Sequence, residues 1–189
     1  MPANTSLVAR RLCDNTVPMQ IPLVMTVLGK DRTGLVESIA RLVAEHGGNW
    51  LESRMCRLGG EFAGILRVHV PAEKRAALEQ ALAKLTDLQI VVRSDEAAAV
   101  GGASHFATLE VLGPDRPGIV REITHALAAQ GVNVEELSTE CASAPMSGEP
   151  LFRAKARLLL PASVTIAALR QSLAKPAGEM GLEFSFATE

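Results

Sequence analysis

A short apolar run, Leu23 to Leu28, predicts a β-strand, and a polar loop follows from Gly29 to Gly34. Leu35, Val36, Ile39, Leu42 and Val43 then recur at the i, i+1, i+4, i+7, i+8 spacing of one helical face. Gly47 and Gly48 end that helix, because glycine tolerates the left-handed backbone of a helix C-terminus. Asn49 to Arg57 predicts a second strand, and Gly59-Gly60 suits a tight hairpin turn. In the third strand Phe62, Gly64, Leu66, Val68 and Val70 fall on one face, Arg67 and His69 fall on the other, and Pro71 ends it. Ala77, Leu78, Ala81, Leu82 and Leu85 make a second amphipathic helix, and Leu88 to Arg93 a fourth strand. The order is βαββαβ.

The pattern then repeats. Val27–Glu52 (VLGKDRTGLVESIARLVAEHGGNWLE) and Val111–Glu136 (VLGPDRPGIVREITHALAAQGVNVEE) align without gaps at an offset of 84, with twelve identities in twenty-six positions. That period is too long for a solenoid repeat of ~20–50 residues, and each copy is large enough to fold by itself. In the second copy Phe106–Leu112 is strand one, and Ile119, Val120, Ile123 and Leu127 form the first helical stripe. Asn133–Cys141 is strand two, followed by a longer connection over Ala142–Pro150. Phe152, Ala154, Ala156 and Leu158 share one face of strand three, with Arg153, Lys155 and Arg157 on the other. Ile166, Leu169 and Leu173 mark helix two, and Leu182–Ala187 is strand four.

One apolar sheet face per copy puts both helices on that face. The right-handed crossover rule then yields an α+β fold of two ferredoxin-like βαββαβ modules, each a four-stranded antiparallel sheet. We expect an N-terminal extension over residues 1–20, a first module over 21–93, a linker over 94–104 and a second module over 105–189. SDEAAAVGGAS, with its small residues and paired glycines, has linker composition.

Composition narrows the function. The 189 residues carry 19 basic and 21 acidic side chains, five Phe, one Trp and no Tyr. Near-neutral charge and scarce aromatics weigh against direct nucleic-acid binding. Residues 1–95 carry 12 basic and 10 acidic groups, and residues 96–189 carry 7 and 11, so the halves are +2 and −4. No apolar stretch approaches the ~20 residues of a membrane span, and the first residues lack a secretory pattern, so a cytoplasmic location is expected. Cys13, Cys56 and Cys141 form no CxxC pair, which supports neither a zinc site nor a disulfide framework; Cys56 and Cys141 read as reduced small hydrophobes.

The loops LGKDRTGLV and LGPDRPGIV, each followed by an apolar helix and then GGN or GVN, resemble the ligand-loop signature of ACT domains. Two such copies are similar to the glycine cleavage system transcriptional repressor family. The LGPDRPG loop is also similar to the ACT segment of formyltetrahydrofolate deformylase, an enzyme whose separate catalytic domain has no counterpart here. The resemblance implies amino-acid sensing, with ligands where the loop of one copy meets strand two of a neighbour. Carried onto this sequence, it points to Asp31, Arg32, Thr33, Gly34, Leu35 and Asn49, and to Asp115, Arg116, Pro117, Gly118, Ile119 and Asn133.

The chemistry of those residues fits. The glycines let the backbone turn sharply, and the N–H groups opening the helix carry partial positive charge suited to a carboxylate. Asparagine offers both donor and acceptor groups. The alternative reading is structural: the aspartates as helix caps, and the arginines exposed or locally paired. Lys30 and Thr33 stand where the second copy has Pro114 and Pro117, so the first loop can differ in affinity or bind nothing. His46, His69, His105 and His125 show no metal-ligand spacing, Glu135-Glu136 would point to opposite faces of a strand, and no GxSxG elbow is present. The Arg153–Lys155–Arg157 face reads as solvated or module-joining. The resemblance thus implies a non-enzymatic regulator needing no cofactor or metal, sensing a small amino acid such as glycine. It would act through a DNA-binding regulator protein, without contacting DNA or membrane, and as a homo-oligomer.

Overall fold

The computed structural model describes residues 18–95, 104–143 and 148–188. Most of the expected N-terminal extension, with Cys13, most of the expected linker and the middle of the 142–150 connection lie outside the described residues. The chain divides into two compact units, Met1–Ala98 and Ala99–Glu189.

The first unit, module 1, runs β1 (Gln20–Lys30), α1 (Leu35–Glu45), β2 (Asn49–Leu58), β3 (Glu61–Pro71), α2 (Arg75–Leu82) and β4 (Leu88–Ser94). Its sheet is antiparallel with order β2-β3-β1-β4. Module 2 runs β5 (Ser104–Pro114), α3 (Ile119–Ala129), β6 (Asn133–Ser143), β7 (Pro150–Pro161), α4 (Ile166–Met180) and β8 (Glu183–Thr188), in the order β6-β7-β5-β8. Both modules are βαββαβ, as the periodicity predicts.

Alternation sets the cores. Leu23, Met25 and Val27 of β1 and Leu66, Val68 and Val70 of β3 bury against Leu35, Ile39, Leu78 and Leu82 of the two helices. Leu109, Val111, Ala156 and Leu158 do the same against Ile119, Leu127, Leu169 and Leu173. Removing such side chains from water, at roughly 1.5–3 kcal/mol each, supplies the main drive to fold.

Two details depart from the simple pattern. Strand β1 begins before its apolar run, because the ladder with β3 continues to Gln20 opposite Pro71. Strands β2 and β6 each break register once, between Trp50 and Glu52 and between Val134 and Glu136. These bulges leave Leu51 and Glu135 without a ladder partner, so strict alternation fails there and does not fix the faces of Glu135 and Glu136.

Candidate functional site

The two loops share one backbone design. Gly34 (φ +85°) and Gly118 (φ +96°) hold the left-handed conformation at the N-caps of α1 and α3, where a side chain would be strained. A Cβ on Gly29 would strike the Asp87 carbonyl at 2.5 Å, and one on Gly113 the Gly181 carbonyl at 2.8 Å. The Asp31 N–H donates to the Gly60 carbonyl, and the Asp115 N–H donates to that of Pro150, each at 3.0 Å. Each loop is thus pinned to the start of the neighbouring β3 or β7. Neither helix takes a side-chain cap at its N-terminus, so the capping role considered for Asp31 and Asp115 is not filled. The opening N–H groups of α1 and α3, at Leu35 and Ile119 onward, lack helical acceptors by geometry.

The side chains differ. In module 1, Arg57 of β2 holds Asp31 (Nε to Oδ2, 2.7 Å), and Asp87, just before β4, holds Arg32 (Nε to Oδ2, 2.6 Å). The Arg32 hydrogen bond keeps the Asp87 carboxyl below its ordinary pKa. In module 2 the position of Arg57 belongs to Cys141, and Gly181 stands where Asp87 stands, each carbonyl lying over the equivalent glycine. Arg116 is therefore exposed and has no hydrogen-bond or ion-pair partner among the described residues. Asp115 has a thiol beside it instead of a cation; partial desolvation first, and the Asp115 charge second, push the Cys141 pKa up. Thr33 and Pro117 are exposed, while Leu35 and Ile119 are buried and serve the core.

Asn49 and Asn133 lie apart from these loops. Each opens its strand two, whereas the loop packs near the far end, at Arg57 or Cys141. Eight residues of strand separate the two ends, about 26 Å. Within one module the structure therefore does not bring the asparagine and the loop together. Asn133 is also engaged by Glu135 (Nδ2 to Oε1, 2.6 Å).

The remaining candidates resolve simply. Arg153 pairs with Glu140 at 3.0 Å, Lys155 with Glu110 at 3.1 Å, and Arg157 stacks over Phe106 at 3.7 Å. That strand face balances its own charge and offers no phosphate site. Cys56 and Cys141 are exposed on edge strands, which corrects their reading as small hydrophobes. Among the described residues, no group of three His, Cys, Asp or Glu side chains can hold a metal ion. None of the described helices is long and apolar enough to cross a membrane. The loop partners Arg57 and Asp87 escape sequence reading, because each lies at least 26 residues from the group it holds. The Arg57–Cys141 mismatch in the repeat was the available signal.

Residues 22–93 match one family model of the ACT domain, and residues 107–153 match another. Together these regions make up more than half of the chain. The chain is 32% identical over 126 residues to the glycine cleavage system transcriptional repressor of Escherichia coli K12, and to that of Shigella flexneri. That match covers 65% of this chain and 66% of the relative, so it spans just under two thirds of the relative's length. The solved structure of an unknown protein from Galdieria sulphuraria is similar at TM-score 0.79 and 31% identity, covering 90% of this chain and 99% of that one. A candidate glycine cleavage system transcriptional repressor is similar at TM-score 0.64 and 19% identity, over 90% and 98% of the two chains. At that identity the likeness concerns the fold alone.

Proposed function

The chain belongs to the ACT-domain family along both of its modules, and from that premise we propose that it is a regulatory protein that senses a small amino acid. The observation that carries the reading is Arg116, an exposed guanidinium without a partner among the described residues, two residues before the N-cap of α3. An amino-acid carboxylate there meets a cation, the free N–H groups of the helix and the positive end of its dipole. Asp115, close by and without a cation, suits the ligand's ammonium. The first loop satisfies its own charges through Arg57 and Asp87 and serves structure.

Similarity to a named transcriptional repressor supports a role in gene control. The net charge of −2 favours action through a DNA-binding protein partner over direct contact with DNA. We place the working form in the cytoplasm as a homo-oligomer without catalytic activity. Ligand then shifts the protein between a partner-binding and a partner-free state, by no more than its difference in affinity for the two.

The test is a thermal-shift titration of the full chain with glycine and the other small amino acids. Ligand at one hundred times its Kd stabilises by ~2.7 kcal/mol and raises Tm measurably. No shift with any amino acid defeats the sensing role.

A further inference from the structure

The two modules also differ beneath their first helices. In module 1, Met55 of β2 lies over Gly64 of β3 so closely that no Cβ could fit there, and the helix above presents Leu42. Module 2 has Thr139, Ala154 and Ala126 at the equivalent positions, and Ala156 where module 1 has Leu66. Ala154 is one methyl larger than Gly64, but the other three exchanges shorten side chains, and a pocket of about 20 Å³ lies between α3, β5, β6 and β7. Its walls include Val120, Ile123, Leu137, Thr139, Ala154 and Ala156, and its lining surface is apolar. The hydroxyl of Thr124, also at the pocket, is already bonded to the Val120 carbonyl at 2.7 Å. Val120 and Leu137 at the wall stay 41% and 46% exposed, so the pocket communicates with solvent. Val120 is the second residue of α3, which places the pocket alongside the same turn that the ligand carboxylate approaches.

Resting on the sensing role above, we propose that the module 2 site selects an amino acid with a short aliphatic side chain, of one or two carbons, over glycine. The carboxylate meets Arg116 and the opening of α3, and the side chain enters the pocket. Glycine leaves the pocket empty. Serine brings a hydroxyl to a lining surface that is apolar, which costs affinity. Phenylalanine exceeds the space, since the volume accommodates little more than one water-sized group before the opening is reached. Each carbon buried tightens binding roughly fourfold, at ~0.8 kcal/mol per CH₂.

Calorimetric titration of the full chain with glycine, alanine, 2-aminobutyrate, valine and serine tests the assignment. Affinity is expected to climb by about tenfold or more from glycine to 2-aminobutyrate and to fall back for serine. The double variant Thr139→Met, Ala154→Gly, which restores the strand pair of module 1, should bring the ratio of 2-aminobutyrate to glycine close to one. Thr139→Ser, which keeps the pocket open, should preserve the ratio. Glycine binding as tightly as the others, or a ratio untouched by the double variant, overturns the pocket assignment while leaving amino-acid sensing intact. Silence toward every amino acid, glycine included, overturns the sensing role and this assignment with it.

Discussion

Gly34 and Gly118 hold the same left-handed backbone before α1 and α3, yet the charges beside them are disposed differently. Arg57 and Asp87 close the first loop on itself, and Cys141 and Gly181 leave the second open. The cores differ in the same sense. Leu35, Ile39, Leu42 and Val43 all bury on α1, whereas only Ile119 and Leu127 do so on α3. A duplicated module can thus keep its loop geometry in both copies while the charges and the packing beside that loop differ. Backbone design and side-chain environment are separable properties here.

The packing half of that contrast gives the largest expected effect. Ile39→Ala removes a fully buried side chain and should cost about 2–5 kcal/mol in denaturant unfolding. Ile123→Ala, its counterpart, removes a half-buried side chain beside an existing pocket and should cost clearly less. Equal losses would show that the two cores are packed alike.

Next in size is the loop charge. Arg116→Ala should weaken amino-acid binding roughly tenfold to a hundredfold, the scale of a lost hydrogen bond to a charged group at ~1.5–3 kcal/mol. Gly34→Ala and Gly118→Ala should each destabilise by about 1–2 kcal/mol, because both put a side chain into the left-handed region. Here the modules should agree, and a marked difference in Tm loss between the two variants would break the claim of a shared backbone.

The smallest effect concerns acid. Asp87 has a lowered pKa in the folded chain, so its pairing with Arg32 contributes stability above the ordinary carboxylate pKa of about 4. That contribution disappears as pH falls through the lowered value. The Tm difference between the wild type and Asp87→Asn should therefore be present at pH 7 and close on acidification. A gap that widens in acid would reverse the sign argued for the pair. Both partners are about half exposed, so the gap should be modest.

Much of the fold is legible in the sequence, because alternation and helical spacing are local signals. Leu23 through Val27 and Leu66 through Val70 announce their inward faces, and the repeat confirms the order by stating it twice. The bulges at Leu51 and Glu135 are not legible, because the unpaired residue only declares itself against the partner strand. The loops are legible as motifs, from the glycines and the Asp-Arg pair. Their state of charge is not, since it depends on Arg57 and Asp87 arriving from other strands and turns. The pocket is similarly hidden: it depends on Thr139, on one strand, and Ala156, on the next, both being smaller than Met55 and Leu66 of module 1.

The stoichiometry of amino-acid binding tests the contrast between the loops most directly. Isothermal titration of the full chain should give one ligand per chain, lost in Arg116→Ala. The double variant Arg57→Cys, Asp87→Gly, which gives the first loop the neighbours of the second, should raise the number toward two. Two equivalent ligands per wild-type chain, or one that survives Arg116→Ala, would contradict the division of labour between the modules.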